Sequence, residues 1–224
     1  MRVLALGDSW AQLGVNHLVA ELGDGWDVRL RAKTGDTACH WAKKWAVASG
    51  NSSRSGLAKL LDEHAPVSHV WLSLGANDVR ASDRYAEAAE CLNNVSLELL
   101  AYRPPNRPPL KVVQFSYDFL CFSTFSPAYG AQTPHCRDST NATCFNERMR
   151  RVHTEIIAPV ARGSPRHRVY DLQGTLQAAA AIAGAPRLDA YSPRSYFLGD
   201  CTHPNADGFR VLFKELLRRR AFQI

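Results

Sequence analysis

Five short runs of apolar and β-favouring residues punctuate the chain: residues 2–6 (RVLAL), 27–31 (DVRLR), 69–74 (HVWLSL), 110–116 (LKVVQFS) and 168–172 (RVYDL). Most are bounded by Gly, Pro or charged positions, the signature of short strands. Between them the period of the apolar positions changes. From Trp10 to Leu22 the residues Leu13, His17, Leu18 and Leu22 fall near one helical face, and from Ala86 to Tyr102 the residues Ala88, Cys91, Leu92, Val95 and Leu99 do the same. Strand alternating with helix requires crossover connections, which place helices on both faces of a parallel sheet. The pattern therefore predicts an α/β fold, a three-layer α/β/α sandwich around a five-stranded parallel sheet. Pro104, Pro105, Pro108 and Pro109 end the helix before the fourth strand and set the turn into it.

The segment from Tyr117 to Cys144 breaks this rhythm. It holds Pro127 and Pro134 and carries Tyr117, Phe119, Phe122, Phe125 and Tyr129. Loops this long in compact domains are usually functional or disordered. Two readings stand: a wall or lid that the fourth strand delivers to the ligand edge of the sheet, or a disulfide-stapled surface excursion whose aromatics form a satellite core. At 224 residues, 46% hydrophobic and 21% charged, the chain suits one domain over 1–224, with that excursion at 117–144. The longest small-apolar run, AAAAIAGA at 178–185, falls far short of the roughly 20 residues that cross a bilayer, so no integral membrane segment is expected. Only VLAL separates Arg2 from Gly7, too little for the apolar core of a secretory leader, which needs about 7 to 15 residues. The expectation is either an intracellular protein or a mature form whose leader has been removed.

Cysteine usage and charge shift that balance. The six cysteines (Cys39, Cys91, Cys121, Cys136, Cys144, Cys201) are even in number, and Asn51, Asn94 and Asn141 each open an Asn-x-Ser/Thr sequon. Together they point to a secreted, disulfide-bearing glycoprotein, with a cytoplasmic protein carrying free thiols as the alternative. Cys136 and Cys144 enclose the polar loop RDSTNAT and are the pair most readily joined; the remaining connectivity is open. The net charge of +6 draws on RMRR (148–151), RHR (166–168) and RRR (218–220) and suits anionic surroundings such as acidic polysaccharide or phospholipid headgroups. Without zinc-finger spacing or an aromatic-interleaved basic motif, no nucleic-acid partner is expected.

The candidate chemistry lies where strands end. The ends of the first three strands open on one edge of a parallel sheet, where such sheets keep their ligands. Gly7-Asp8-Ser9 follows the first strand, AKTGDTA (32–38) with Gly35 follows the second, and LGAND (74–78) brings Asn77 after the third. Near the C-terminus GDCTHPNADG (199–208) supplies Asp200 and His203. Acyl transfer to water needs a nucleophile, a base, a group that orients the base, and donors for the oxyanion. Ser9 can be the nucleophile, His203 the base, and Asp200, three residues earlier, the acceptor for the imidazole Nδ1–H. The backbone N–H groups of Ser9 and Gly35 and the Asn77 amide are the obvious donors. Each residue also has an ordinary reading: Ser9 as a helix N-cap, Gly35 as turn punctuation, Asn77 or Asp78 as the cap of a helix beginning near Ala81. Asp171 is a second possible partner for His203, although the Asp-x-x-His spacing favours Asp200. Asp8 is expected to orient the nucleophile turn through the backbone, and His153 to lie on the surface. His40, Trp41 and Trp45 either line the site or pack in the core.

These blocks resemble those of the SGNH (GDSL-type) hydrolases over nearly the whole chain: GDS the first, the Gly35 turn the second, GAND the third and DCTHPNADGF the fifth. The resemblance implies a flavodoxin-like strand order and hydrolysis of an ester or thioester through Ser9, His203 and Asp200. It also implies an oxyanion hole of Ser9, Gly35 and Asn77, and no metal or cofactor. The substrate stays open between an O-acylated carbohydrate and a lipid ester. An O-acyltransferase on the same fold and a catalytically inactive binding module are the alternatives. Three departures from the family's pattern bear on the site. Trp10 stands where an aliphatic residue is common, and either narrows the acyl side of the pocket or packs the first helix. Cys201 stands where Asp-Gly-x-His-Pro is common, implying either an ordinary loop conformation or a disulfide bracing the loop. The 117–144 segment is longer than a minimal member needs, so substrate choice is expected there, with Trp10 and Tyr117 as candidate substrate-binding residues.

Overall fold

The computed structural model describes residues 1–45, 55–80, 82–104, 106–121, 136 and 142–223. At its centre is a wholly parallel sheet of five strands: β1 (Arg2–Gly7), β2 (Asp27–Ala32), β3 (His69–Ser73), β4 (Lys111–Phe115) and β5 (His167–Tyr170). The order β2-β1-β3-β4-β5 is flavodoxin-like and puts the topological switch between β1 and β3. The five predicted runs coincide with these strands to within a residue or two. Burial follows position in the sheet. Every residue of β3 is buried, whereas Arg29, Leu30 and Arg31 of the edge strand β2 are exposed.

Seven helices longer than one turn are described: α1 (Ser9–Leu22), α2 (Ala38–Trp45), α3 (Gly56–Glu63), α4 (Tyr85–Ala101), α5 (Ala142–Arg151), α6 (Thr175–Ala179) and α7 (Ala206–Arg218). A π-helical stretch, Val152–Ile157, continues α5. The helices α1, α6 and α7 pack together on one face, and α2, α3 and α4 with the π-helical stretch on the other, giving the three expected layers. On the first face Trp71 of β3 stacks on Phe115 of β4 at 5.4 Å and meets Phe213 of α7 edge-on at 5.2 Å. Burying side chains of this size contributes about 1.5–3 kcal/mol each.

The buried face of α1 differs from the predicted one. Trp10, Ala11, Gly14, Val15 and Leu18 face inward, while Leu13 is 39% exposed and His17 and Leu22 are only half-buried. Shape decides this rather than apolarity: a Cβ at Gly14 would sit 2.9 Å from both Trp71 and Phe209. Glycine there lets the helix close on the sheet. In α4 the predicted residues Ala88, Leu92, Val95 and Leu99 are buried as expected. Its first turn starts at Tyr85 without a side-chain cap, so neither Asn77 nor Asp78 caps it.

Three disulfides join Cys39 to Cys91, Cys121 to Cys201, and Cys136 to Cys144, the last being the predicted pair. No described helix is long and apolar enough to cross a membrane. Of the 117–144 excursion, Tyr117 through Cys121 are buried. Phe122, Phe125, Tyr129 and the sequons at Asn51 and Asn141 lie outside the described residues, and Asn94 is exposed on α4.

Candidate active site

The chain leaves β1 through a bend that only glycine fits. Gly7 has φ 135°, and a Cβ there would run into the Ser73 carbonyl at the end of β3. Asp8 follows in extended conformation, its N–H donating to Ser73 O at 2.9 Å, and caps α1 by accepting the Trp10 N–H at 3.0 Å. Ser9 is therefore the first residue of α1 rather than its cap. The cap reading moves one residue back, to Asp8, which works through the backbone as expected.

Asp8 does more than cap. Its carboxylate also accepts the Ser73 hydroxyl at 2.9 Å and the Tyr117 hydroxyl at 2.5 Å, and it is only 1% exposed. Burial pushes its carboxyl up to about 6, against the opposing pull of the bonds from Tyr117, Ser73 and Trp10 N–H and of the nearby His203.

From the far end of the chain, His203 Nε2 lies 2.7 Å from Ser9 Oγ, and His203 Nδ1 lies 2.6 Å from Asp200 Oδ2. The other carboxylate oxygen of Asp200 accepts the backbone N–H groups of Thr202 at 2.9 Å and His203 at 3.0 Å. Burial pulls the Asp200 carboxyl upward, but the bonds from the His203 ring and from these two N–H groups hold it below its ordinary value. Cys201 sits inside this loop with φ 56°, in the left-handed region where a Cβ is unfavourable by about 1–2 kcal/mol. Its disulfide to Cys121 and the 3.2 Å bond from Cys121 N–H to Cys201 O tie the loop to the segment after β4. Of the two expectations for Cys201, the bracing disulfide is present and the ordinary backbone is not. Asn205 then caps α7, accepting the N–H groups of Asp207 and Gly208 at 3.0 Å.

Gly35 turns with φ 83°, and no atom lies within 4 Å of where its Cβ would stand. The turn is fastened at both ends: Gln12 Oε1 accepts Thr34 N–H at 2.9 Å and Thr34 Oγ1–H at 3.0 Å, and the Asn77 amide donates to Asp36 O at 3.0 Å. Asp78 caps α2, accepting the N–H groups of Ala38 at 2.7 Å and Cys39 at 2.9 Å.

These elements enclose a cavity of about 90 Å³, on whose wall stand all the site residues named from sequence: Ser9, Trp10, Gly35, Asn77, Tyr117, Asp200 and His203. Trp10 does both things asked of it, lining the cavity while meeting Tyr117 and Phe209 edge-on at 5.1 and 5.9 Å. Sequence reasoning missed Arg80, Leu120 and Met149, which also stand on the wall. Arg80 follows GAND by two residues and was within reach; Met149 comes from α5 and carried no local signal.

Other candidates fall elsewhere. Asp171 accepts Ser116 Oγ–H at 3.1 Å and Gln173 N–H at 3.0 Å, a turn-forming role away from His203. Trp41 is buried with its indole N–H on Asp36 at 2.9 Å, and His40 and Trp45 border a different recess. His153 is not a surface residue: its side chain is 12% exposed and lies 3.7 Å from Asp171. No group of three or more His, Cys, Asp or Glu among the described residues is placed to hold a metal ion.

No family profile and no curated protein matches the chain. Solved structures do. The chain superposes on a carbohydrate acetylesterase from Sinorhizobium meliloti with a TM-score of 0.61 at 16% identity, covering 100% of this chain and 99% of that one. An aryl esterase from M. smegmatis gives 0.61 at 16% identity over 98% and 97% of the two chains. A variant of an acetyl xylan esterase from Geobacillus stearothermophilus gives 0.58 at 16% identity over 100% and 95%. The chain shares the fold of these esterases.

Proposed function

We propose that this protein is a serine hydrolase that cleaves short-chain carboxylic esters of saccharides. The observation that carries the reading is the continuous hydrogen-bonded chain from Ser9 Oγ through His203 to Asp200, opening on a cavity at the ligand edge of the sheet. Ser9 Oγ attacks the ester carbonyl carbon as its proton passes to His203 Nε2. The carbonyl π pair moves onto oxygen, where the N–H groups of Ser9 and Gly35 and the Asn77 amide receive it. Collapse breaks the bond to the alcohol oxygen, which takes the proton from His203, and leaves acyl-Ser9. Water then attacks in turn, giving its proton to His203, and Ser9 recovers that proton as the acid departs. Asp200, held ionised below its ordinary range, keeps the Nδ1–H tautomer and stabilises the imidazolium.

Cavity size supports a short acyl group. A recess of about 90 Å³ beside the nucleophile accommodates an acetyl group. That favours an O-acylated carbohydrate over a long-chain lipid ester, in keeping with the acetylesterases among the structural neighbours. Three disulfides support an extracellular setting.

The test is hydrolysis of p-nitrophenyl esters from acetate to palmitate by the protein and its Ser9→Ala variant. The expected outcome is a rate that falls with chain length and that Ser9→Ala lowers by at least about 10⁴-fold. Two folded proteins with equal rates, or no rate on any ester, would return the chain to the class of binding modules.

A further inference from the structure

A second recess, of about 180 Å³, lies against the same turn that walls the catalytic cavity. Thr34 and Gly35 face the cavity, while Lys33 and Asp36 border the recess. Its remaining wall comes from Arg31 at the end of edge strand β2 and from His40, Lys44 and Trp45 of α2. Three permanent cations thus converge beside the candidate active site.

On the same strand Arg29 is paired with Asp27 at 3.0 Å, and Arg84, Arg151, Arg210 and Arg218 each have a carboxylate partner three or four residues away. Arg31, Lys33 and Lys44 have no ion-pair partner among the described residues. The one carboxylate in the recess, Asp36, is engaged by the Trp41 indole N–H at 2.9 Å. Instead the Arg31 guanidinium and the Lys44 ammonium gather on one aromatic ring, 5.3 and 5.2 Å from the centre of Trp45. Like charges repel; contact with one indole ring offsets part of that cost and restrains both cations without neutralising them. Such an arrangement is preorganised for an anion.

We propose that this recess is a subsite for an acidic polysaccharide, and that the acyl esters cleaved at Ser9 are carried on a carboxylate-bearing chain. The inference rests on the ester-hydrolase reading above and gives its substrate class. A polymer whose acetyl group occupies the cavity continues across the 33–36 turn, and its next acidic sugars meet Arg31, Lys33 and Lys44.

Two measurements test it. The first is binding of unacetylated polygalacturonate to the Ser9→Ala protein, which needs no catalysis. Binding is expected at low ionic strength, to weaken with salt, and to drop about tenfold in Ser9→Ala/Arg31→Ala/Lys44→Ala, a loss within reach of two exposed ion pairs. Absence of binding, a loss of less than twofold in that variant, or tighter binding to anionic phospholipid vesicles overturns the proposal whatever the enzyme's activity. The second compares kcat/KM on O-acetylated polygalacturonate with that on O-acetylated neutral xylan. Arg31→Ala/Lys44→Ala is expected to lower the ratio about tenfold through KM, and an equal loss on both polymers overturns the proposal. A protein that binds polygalacturonate but hydrolyses neither polymer nor p-nitrophenyl acetate would refute the hydrolase reading and leave the anion subsite standing.

Discussion

Two segments wall the candidate cavity, and they are held in opposite ways. The 200–203 loop is locked: a disulfide joins Cys201 to Cys121, Asp200 accepts two backbone N–H groups of its own loop, and Leu198 N–H donates to His203 O at 2.8 Å. The 33–36 turn is held by hydrogen bonds alone, from Lys33 N–H to Gly7 O at 2.9 Å and through Gln12 and Asn77. The contrast follows from the two tasks. His203 must satisfy Ser9 and Asp200 at once, so an error in the loop breaks one bond or the other. On the proposed mechanism the turn has only to present an N–H to a charge that exists briefly, and a hydrogen bond tolerates a range of angles. Covalent restraint is found where the geometric demand is greater.

Removing Asn77 strikes the looser segment where it is weakest and has the largest effect expected of a change aimed at either segment. Its amide is both a donor on the cavity wall and the fastening of the turn at Asp36. Asn77→Ala is expected to lower kcat on p-nitrophenyl acetate by about 10²–10³-fold, the usual loss for one oxyanion donor. The protein should still fold. An unchanged kcat in a folded variant removes Asn77 from the chemistry.

The locked segment gives a smaller effect with a sharper signature. Without its disulfide, Cys201 has no covalent reason to stay left-handed, and relaxing is worth about 1–2 kcal/mol. Cys121→Ser/Cys201→Ser is therefore expected to lose roughly 5- to 30-fold in kcat as the competent loop becomes the minor form. Cys121→Ser/Cys201→Gly loses the same cross-link, up to about 4 kcal/mol of chain entropy over a separation of 80 residues. Yet glycine adopts the left-handed bend freely, so most of the rate should return at equally lowered thermal stability. Equal rates for the two double variants would mean that the bend is not what the disulfide protects.

How much of this was legible in the sequence depends on how local the cause is. The strands are written in short runs that coincide with those of the structure, and the Asp-x-x-His spacing matches the 2.6 Å bond between His203 Nδ1 and Asp200. The cysteine at 201 was legible as an anomaly because a single glycine-favouring position was involved. What escaped were contacts between distant elements. The inward face of α1 is set by the rings of Trp71 and Phe209 meeting Gly14, a shape match that no apolar count along the helix reveals. Asp78 caps α2, 40 residues earlier in the chain, rather than the helix that follows it. Tyr117 lines the cavity, but its hydroxyl is bonded to Asp8, 109 residues earlier in the chain.

That last bond joins the two segments' common floor and carries the smallest prediction, which is one of pH. Buried Asp8 titrates at about 6 in the folded protein against an ordinary value of 3.8. Between roughly pH 4 and 6 the folded state therefore keeps a proton that the unfolded state releases, and stability falls as pH rises through that window. The Tyr117 hydroxyl opposes this by favouring the carboxylate. Tyr117→Phe takes that bond away, so Asp8 should titrate above 6 and the window should widen upward. The variant should then be destabilised more at pH 7 than at pH 4. The expected difference is about 1 kcal/mol, somewhat less than one pKa unit is worth. Urea unfolding of both proteins at the two pH values measures it. Equal destabilisation at both would mean that Tyr117 supports the cavity by packing against Trp10, and that the charge on Asp8 is held by Ser73, the Trp10 N–H and His203.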